Sequence, residues 1–201
     1  NMAFKNQKFE VVKKIVSKEM CNFFVNYFTI KKRVFQTLLE TKQISPLSTE
    51  YGVWNDPQSD NTYCCYADIA METLLLKFKP VVEKITNMEL IENHSYTRIY
   101  KKGDVLEKHV DRKGCEISTT LNLGGDKKWS IYLEPDIKIN LNPGDMLIYS
   151  GCELEHWRNA FEGEECFQSF FHYNDIKRKD HIKFDNRPHV GLPLYTKKNG
   201  N

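Results

Sequence analysis

From Leu90 to Asp175 the chain is written in short runs of β-branched and aromatic residues, each closed by a turn signal. This grammar limits the fold more than any other feature. Tyr96, Arg98 and Tyr100 alternate with Thr97 and Ile99. Further runs follow at Ile117 to Leu123, Trp129 to Leu133, Ile137 to Leu141, Met146 to Tyr149 and Cys166 to Tyr173. Between them stand Lys102-Gly103-Asp104, Gly124-Gly125-Asp126, Pro143-Gly144-Asp145 and Glu162-Gly163, in which glycine, proline and aspartate favour the backbone angles of a bend. Many short strands at this spacing predict a sandwich, barrel or jelly roll rather than a parallel sheet.

The first third follows another period. Phe9, Val11, Val12, Ile15, Val16, Met20, Phe23 and Phe24 recur at three- and four-residue steps, which predicts a helix with one face on the core. Ser17 is placed to cap a second helix by accepting from an exposed amide. Gln43 to Asp60 is polar and contains Pro46, Gly52 and Pro57, a loop with a short strand at Tyr51 to Trp54. Tyr66 to Met88 again reads as helix, with Pro80 as a break or kink. Helices first and strands after predict an α+β fold, its helices buttressing a β core. The expectation is a single domain over 1–201: mostly helical support and loop over 1–89, β core over 90–175, and an irregular C-terminal tail over 176–201.

Composition narrows the function classes. In 201 residues, 40% are hydrophobic and 12% aromatic, enough to bury one core and too much for a disordered chain. The 29 basic and 27 acidic residues leave a net charge of only +2. Lys31-Lys32-Arg33 and Lys177-Arg178-Lys179 read as solvated faces, so the charge pattern counts against nucleic acid as a partner. The six cysteines are scattered with no C-x-x-C pair, which predicts buried, reduced thiols. No apolar run approaches the ~20 residues needed to cross a bilayer, and Asn1 to Glu10 is polar. The expectation is a soluble, cytoplasmic protein with no membrane partner.

The residues that suggest chemistry are His109-Val110-Asp111 and, 45 positions later, His156. On extended backbone, residues i and i+2 point the same way, so His109 and Asp111 can converge on one ion. His156 follows another strand and can close the site from across a barrel. Two imidazoles and a carboxylate on one face of a metal leave adjacent positions open, an arrangement that suits Fe(II). At this stage the same residues also read as an exposed loop pair and a satisfied core histidine.

Tyr100-Lys-Lys-Gly103-Asp104 through His109-Val-Asp111-Arg112, then Pro143-Gly144-Asp145 and His156-Trp157-Arg158, resembles the iron(II)- and 2-oxoglutarate-dependent oxygenases on their prolyl-4-hydroxylase-like side. The likeness runs from about Leu90 to Asp175. It implies a double-stranded β-helix, or jelly roll, with His109, Asp111 and His156 as iron ligands. It also implies 2-oxoglutarate as a small-molecule cosubstrate, O2 as oxidant, and a hydroxylase releasing succinate and CO2. A prolyl residue of a protein or peptide is the first substrate so implied; an amino-acid-like small metabolite is another. Competing readings are a nucleic-acid oxidative demethylase of the same chemistry, and a jelly-roll binding protein without catalysis.

One part of the pattern is missing. Where these enzymes carry a Lys or Arg to hold the far carboxylate of 2-oxoglutarate, this chain has Glu164-Glu165-Cys166-Phe167-Gln168. Arg158, two after His156, and Arg98, alternating with Tyr96 and Tyr100, are the candidate replacements, since a carboxylate is best met by a guanidinium. Gln168 offers a further amide donor, and Tyr100 matches a tyrosine that lines the cosubstrate pocket. Arg112 is placed to hold Asp111 or a substrate acid, and His172 to line the pocket or pack in the core. Trp54, Asn55 and Asp56 border a substrate mouth or anchor a loop, and Trp129 reads as core.

Overall fold

The chain is described from a computed structural model over residues 2–198, so Asn1 and the last three positions of the expected tail lie outside the description. Three helices, α1 (Met2–Gln7), α2 (Lys18–Glu40) and α3 (Ile69–Thr86), are joined by strands β1 (Phe9–Val12) and β2 (Tyr63–Tyr66). Then come β3 (Leu90–Lys101), β4 (Leu106–His109), β5 (Ile117–Gly125), β6 (Ile131–Leu133) and β7 (Ile137–Ile139). β8 (Met146–Ser150), β9 (His156–Arg158) and β10 (Glu165–Asp175) complete the set. All pairings are antiparallel. One sheet has the order β1-β8-β5-β10-β3-β2, the other β4-β9-β6-β7.

Strand alternation gives the large sheet two different faces. On β8, Met146 and Ile148 join the core under the helices, where Phe24, Phe28 and Phe35 of α2 and Leu75, Phe78 and Val82 of α3 pack. Leu147 and Tyr149 point the other way and pack with Ile131, Leu133 and Ile139 of the small sheet. The same rule holds on β3 and β10. Ile99, Phe167, Phe171 and Tyr173 face the helices, whereas Tyr96, Arg98, Phe170 and His172 line a cavity shared with His109 and His156 of the small sheet.

The helix expected through Phe9 is instead β1, which pairs residue for residue with β8, Phe9 opposite Tyr149 and Val12 opposite Met146. Three of its four residues are Phe or Val, suited to a pleated strand. Lys8 and Lys14 flank it at positive φ, which a helix does not tolerate. The three- and four-residue spacing there spans a strand and a turn, so its periodicity is accidental. Ser17 does cap α2, its Oγ accepting from the Met20 amide at 3.2 Å. Tyr66 belongs to β2 rather than to α3, and α3 runs through Pro80. Between Gln43 and Asp60 the expected short strand is a single bridge, Val53 to Cys64. The turn at Pro143-Gly144-Asp145 is structural: buried Asp145 accepts from the Lys14 amide at 3.0 Å and the Asn142 amide at 3.0 Å, while Gly144 takes φ +92°. All six cysteines are free, and five are buried. Among the described residues no helix is long and apolar enough to cross a membrane.

The segment after β10 returns across the helix side and the cavity rim. Arg187 is completely buried and meets Glu72 of α3 at 2.7 Å, while donating to the carbonyls of Asn93, Phe184 and Leu192. Glu72 Oε2 has no hydrogen-bond partner, and burial raises its carboxyl against the pull of Arg187. A buried pair of this kind is costly to break and cheap to replace as a whole. Arg187→Met is therefore expected to cost about 3–5 kcal/mol by leaving Glu72 alone. Arg187→Met with Glu72→Met should recover the share due to the bare carboxylate in urea unfolding, leaving the loss at the Asn93, Phe184 and Leu192 carbonyls.

Candidate metal centre

His109 closes β4 and His156 opens β9, and the two are direct partners in that antiparallel pair. Register alone therefore sets their rings side by side, with centroids 4.3 Å apart. Asp111 lies two residues beyond His109, its amide donating to the Gly151 carbonyl at 2.8 Å. Asp111 Oδ1 sits 3.4 Å from His109 Nε2 and 3.3 Å from His156 Nε2. Ligands at about 2.1 Å on adjacent octahedral corners would be about 3.0 Å apart, so a small contraction closes the set on one ion.

The hydrogen bonds around the three residues leave the right atoms free. His109 Nδ1 meets the Glu107 carbonyl at 2.7 Å and His156 Nδ1 the Leu154 carbonyl at 3.0 Å, so each Nδ1 carries the proton. Both Nε2 atoms then turn to the site, as metal-binding histidines require. Ser118 Oγ donates to Asp111 Oδ2 at 2.5 Å, leaving Oδ1 for the ion. Burial works to raise the Asp111 carboxyl, but hydrogen bonds from His109 and His156 outweigh it and hold it well below the usual carboxylate range. The bond to Asp111 raises His109 against the lowering effect of burial. Two imidazole nitrogens and one carboxylate oxygen thus face one point, and the donor set fits a divalent metal of the Fe(II) kind.

The triad opens on a cavity of about 570 Å³. Arg98 lines it but is already paired: Nη2 donates to Asp56 Oδ2 at 3.0 Å and Gln58 Oε1 at 2.7 Å, and Nη1 to Tyr100 Oη at 3.1 Å. Burial alone would lower the Arg98 pKa, yet Tyr100 and Asp56 beside it push it above its ordinary value. Arg158 differs. It is 1% exposed, and among the described residues no carboxylate reaches it. Its Nη1 donates to the Trp129 carbonyl at 2.8 Å and its Nη2 to Gln168 Oε1 at 3.4 Å, while Nε, like that of Arg98, has no partner. Burial accordingly lowers the Arg158 pKa. Arg158, Tyr100 and Gln168 are not among the residues that line the cavity itself; they cluster beside it with the Trp129 ring, which lies 4.8 Å from the guanidinium carbon.

Other candidates find different partners. Arg112 does not hold Asp111: its Nη1 donates to Asp185 Oδ1 at 2.9 Å, because residue i+1 of an extended segment points away from residue i. Asp185, buried under the returning tail, also meets Tyr66 and Lys197. The Gln168 amide donates to Asn122 Oδ1 and Cys166 Sγ, so its oxygen rather than its nitrogen faces Arg158. His172 is buried and lines the cavity. Trp54 stacks on Phe35 at 4.8 Å and anchors its loop, whereas Asp56 reaches the cavity. Trp129 precedes β6 and packs on Tyr100 and Phe161.

Sequence reasoning missed Ser118, Gly151 and His94. His94 shares the alternation of Tyr96 and Arg98 and was open to discovery from it. Ser118 and Gly151 come together only through the pairing of β5 with β8. A Cβ on Gly151 would collide with the Cys115 carbonyl oxygen, Ser118 Oγ and Asp111 Oδ2.

No family model matches the chain, and no curated protein matches its sequence. Solved structures do resemble it in fold. A viral collagen prolyl hydroxylase, vCPH of Paramecium bursaria Chlorella virus-1, solved with 2-oxoglutarate, superimposes with a TM-score of 0.59 at 13% identity, covering 84% of this chain and 97% of that one. A Pseudomonas putida prolyl-4-hydroxylase gives 0.55 at 9% identity over 82% and 91%. HygX of Streptomyces hygroscopicus, with nickel and 2-oxoglutarate bound, gives 0.63 at 12% identity over 99% and 93%.

Two substitutions test the geometry. Ser118→Ala is expected to weaken Ni(II) or Fe(II) binding about 10–100-fold by freeing the Asp111 carboxylate. Gly151→Ala should do at least as much, because backbone as well as side chain must shift. Since metal competes with a proton at His109, whose pKa is raised by Asp111, wild-type affinity should rise by more than about fourfold from about pH 6 to about pH 8, read by calorimetry.

Proposed function

We propose that the chain is an iron(II)- and 2-oxoglutarate-dependent oxygenase that hydroxylates a C–H bond and releases succinate and CO2. The observation that carries this reading is the convergence of His109, Asp111 and His156 at the mouth of one cavity. It is supported by fold likeness to vCPH and HygX, each solved with 2-oxoglutarate. β3, β5, β8 and β10 belong to one sheet and β4, β6, β7 and β9 to the other. That arrangement supports a double-stranded β-helix, one domain buttressed by the N-terminal helices.

When bound, iron with 2-oxoglutarate supplies the O2 chemistry, one oxygen atom going to the substrate and the other to succinate. The protein contributes position and electrostatics. His109, Asp111 and His156 would hold the ion at the cavity wall. Ser118 and the Glu107 and Leu154 carbonyls fix the orientation of those side chains. Arg158 is the natural partner for the far carboxylate of 2-oxoglutarate, because it is a buried guanidinium without an acid, a state that costs free energy until a carboxylate arrives. Its contact with Gln168 sets it against β10, the strand on which the resemblance expects a basic residue. Tyr100 stands beside it, and Arg98, occupied by Asp56, shapes the substrate side. Leu106, Tyr149 and Phe170 give that cavity apolar wall. Its volume lies in the usual range for a small-molecule or side-chain pocket, and a prolyl residue or amino-acid-like metabolite is the proposed substrate class.

Succinate formation from 2-oxoglutarate with added Fe(II) is expected for wild type and absent for Asp111→Ala. Wild type that neither binds iron nor forms succinate would refute the reading. Arg158→Ala is expected to weaken 2-oxoglutarate binding to the Mn(II)-loaded protein under anaerobic conditions by at least about 30-fold. Removing Arg98 and Asp56 together, as Arg98→Met with Asp56→Asn, should leave that affinity within about threefold. The opposite ranking would transfer the role to Arg98.

A further inference from the structure

A second group of metal donors stands in the wall of the same cavity. His94 on β3, Cys115 in the turn before β5 and His172 on β10 are all buried, and one donor atom from each lies within 4.8 Å of the others. The His94 and His172 ring centroids are 4.6 Å apart, against 4.3 Å for His109 and His156. Two imidazoles on adjacent positions of one ion give a separation of this size.

The surrounding hydrogen bonds decide which nitrogen of each ring is free. Asn93 Nδ2 donates to Asn174 Oδ1 at 3.1 Å and to the Ile182 carbonyl at 2.8 Å. Asn93 Oδ1 therefore accepts, and His94 Nδ1, 2.6 Å away, carries the proton. Ser118 gives its hydrogen to Asp111, so its oxygen accepts from His172 Nδ1 at 3.0 Å. Both rings are thus held in the tautomer that leaves the Nε2 lone pair free to bind a metal. A histidine whose other nitrogen is held by an acceptor is the usual state of a metal ligand.

We infer that His94 Nε2, His172 Nε2 and Cys115 Sγ form a second metal site, taking Zn²⁺ with its fourth position open to the cavity. Two imidazoles and a thiolate without a carboxylate suit zinc, and three protein ligands plus an open position are the form in which zinc meets water or substrate. On binding, the Cys115 thiol transfers its proton to solvent and the sulfur lone pair forms the bond to zinc; no redox change is involved. The site is independent of the iron reading, although Ser118 touches both centres.

Metal titration of the full chain tests it, with His109→Ala and His156→Ala combined to disable the triad while leaving Asp111 on Ser118. Wild type is expected to bind two equivalents of Co(II) and the double variant one, with thiolate-to-cobalt charge-transfer absorption that Zn²⁺ abolishes. Adding Cys115→Ser should remove that absorption and weaken Zn²⁺ binding by at least about 100-fold, beyond the usual effect of outer partners. A natively folded double variant that binds no Co(II), or a thiolate band that survives Cys115→Ser, overturns the inference. In wild type too, Co(II) should give the thiolate band at the second equivalent. Its absence at saturating Co(II) overturns the inference without any variant.

Discussion

The two-residue period of β3, β8 and β10 is the constraint on which the rest of this molecule depends. A strand presents alternate side chains to opposite faces, so one sheet can serve an apolar helix layer and a polar cavity at once. Ile99, Phe167 and Phe171 bury against α2 and α3, while Arg98, Gln168 and His172 turn to the other side. A slip of one residue in the β3–β10 register would exchange these sets, placing charge under the helices. The long ladder from Glu165 opposite Lys101 to Asp175 opposite Leu90 is what forbids that slip.

Charge in the interior follows a second rule: nearly every buried ion has an opposite partner. Arg98 has Asp56, Arg187 has Glu72, and Asp185 gathers Arg112 and Lys197. Asp111 has two histidines. Arg158 breaks the pattern. In a closely packed interior such exceptions mark where something from outside the chain completes the electrostatics. Asp185 and Arg187 tie the returning tail to the cavity rim and to α3.

Much of the β core was legible in the sequence. Turn signals bracketed the runs that become β3, β5, β6, β7, β8 and β10, because glycine, proline and aspartate act locally through backbone angles and side-chain acceptors. β4 and β9 are short, and nothing in their composition announces a strand; they exist because they pair with each other. β1 was misread as helix, since four residues carry too little pattern to separate two periods. Of the site, His109, Asp111 and His156 were singled out from type and spacing, and the structure brings them together. Of the two acids open to Arg112, Asp111 is excluded by Asp185, which lies 73 residues later and is not visible from its neighbours.

The sequence by itself determined which residues can serve as donors, where the chain must turn, and that short strands would dominate after Leu90. Those are local properties, set by side-chain chemistry and backbone freedom. Only the tertiary structure decided which donors share a cavity, which arginine is already neutralised and which lacks an acid, and which ring nitrogens carry protons. Each of those depends on pairings between residues tens of positions apart, where a free energy of hydrogen bonding or ion pairing exists only once both partners have been brought into one small volume and removed from water.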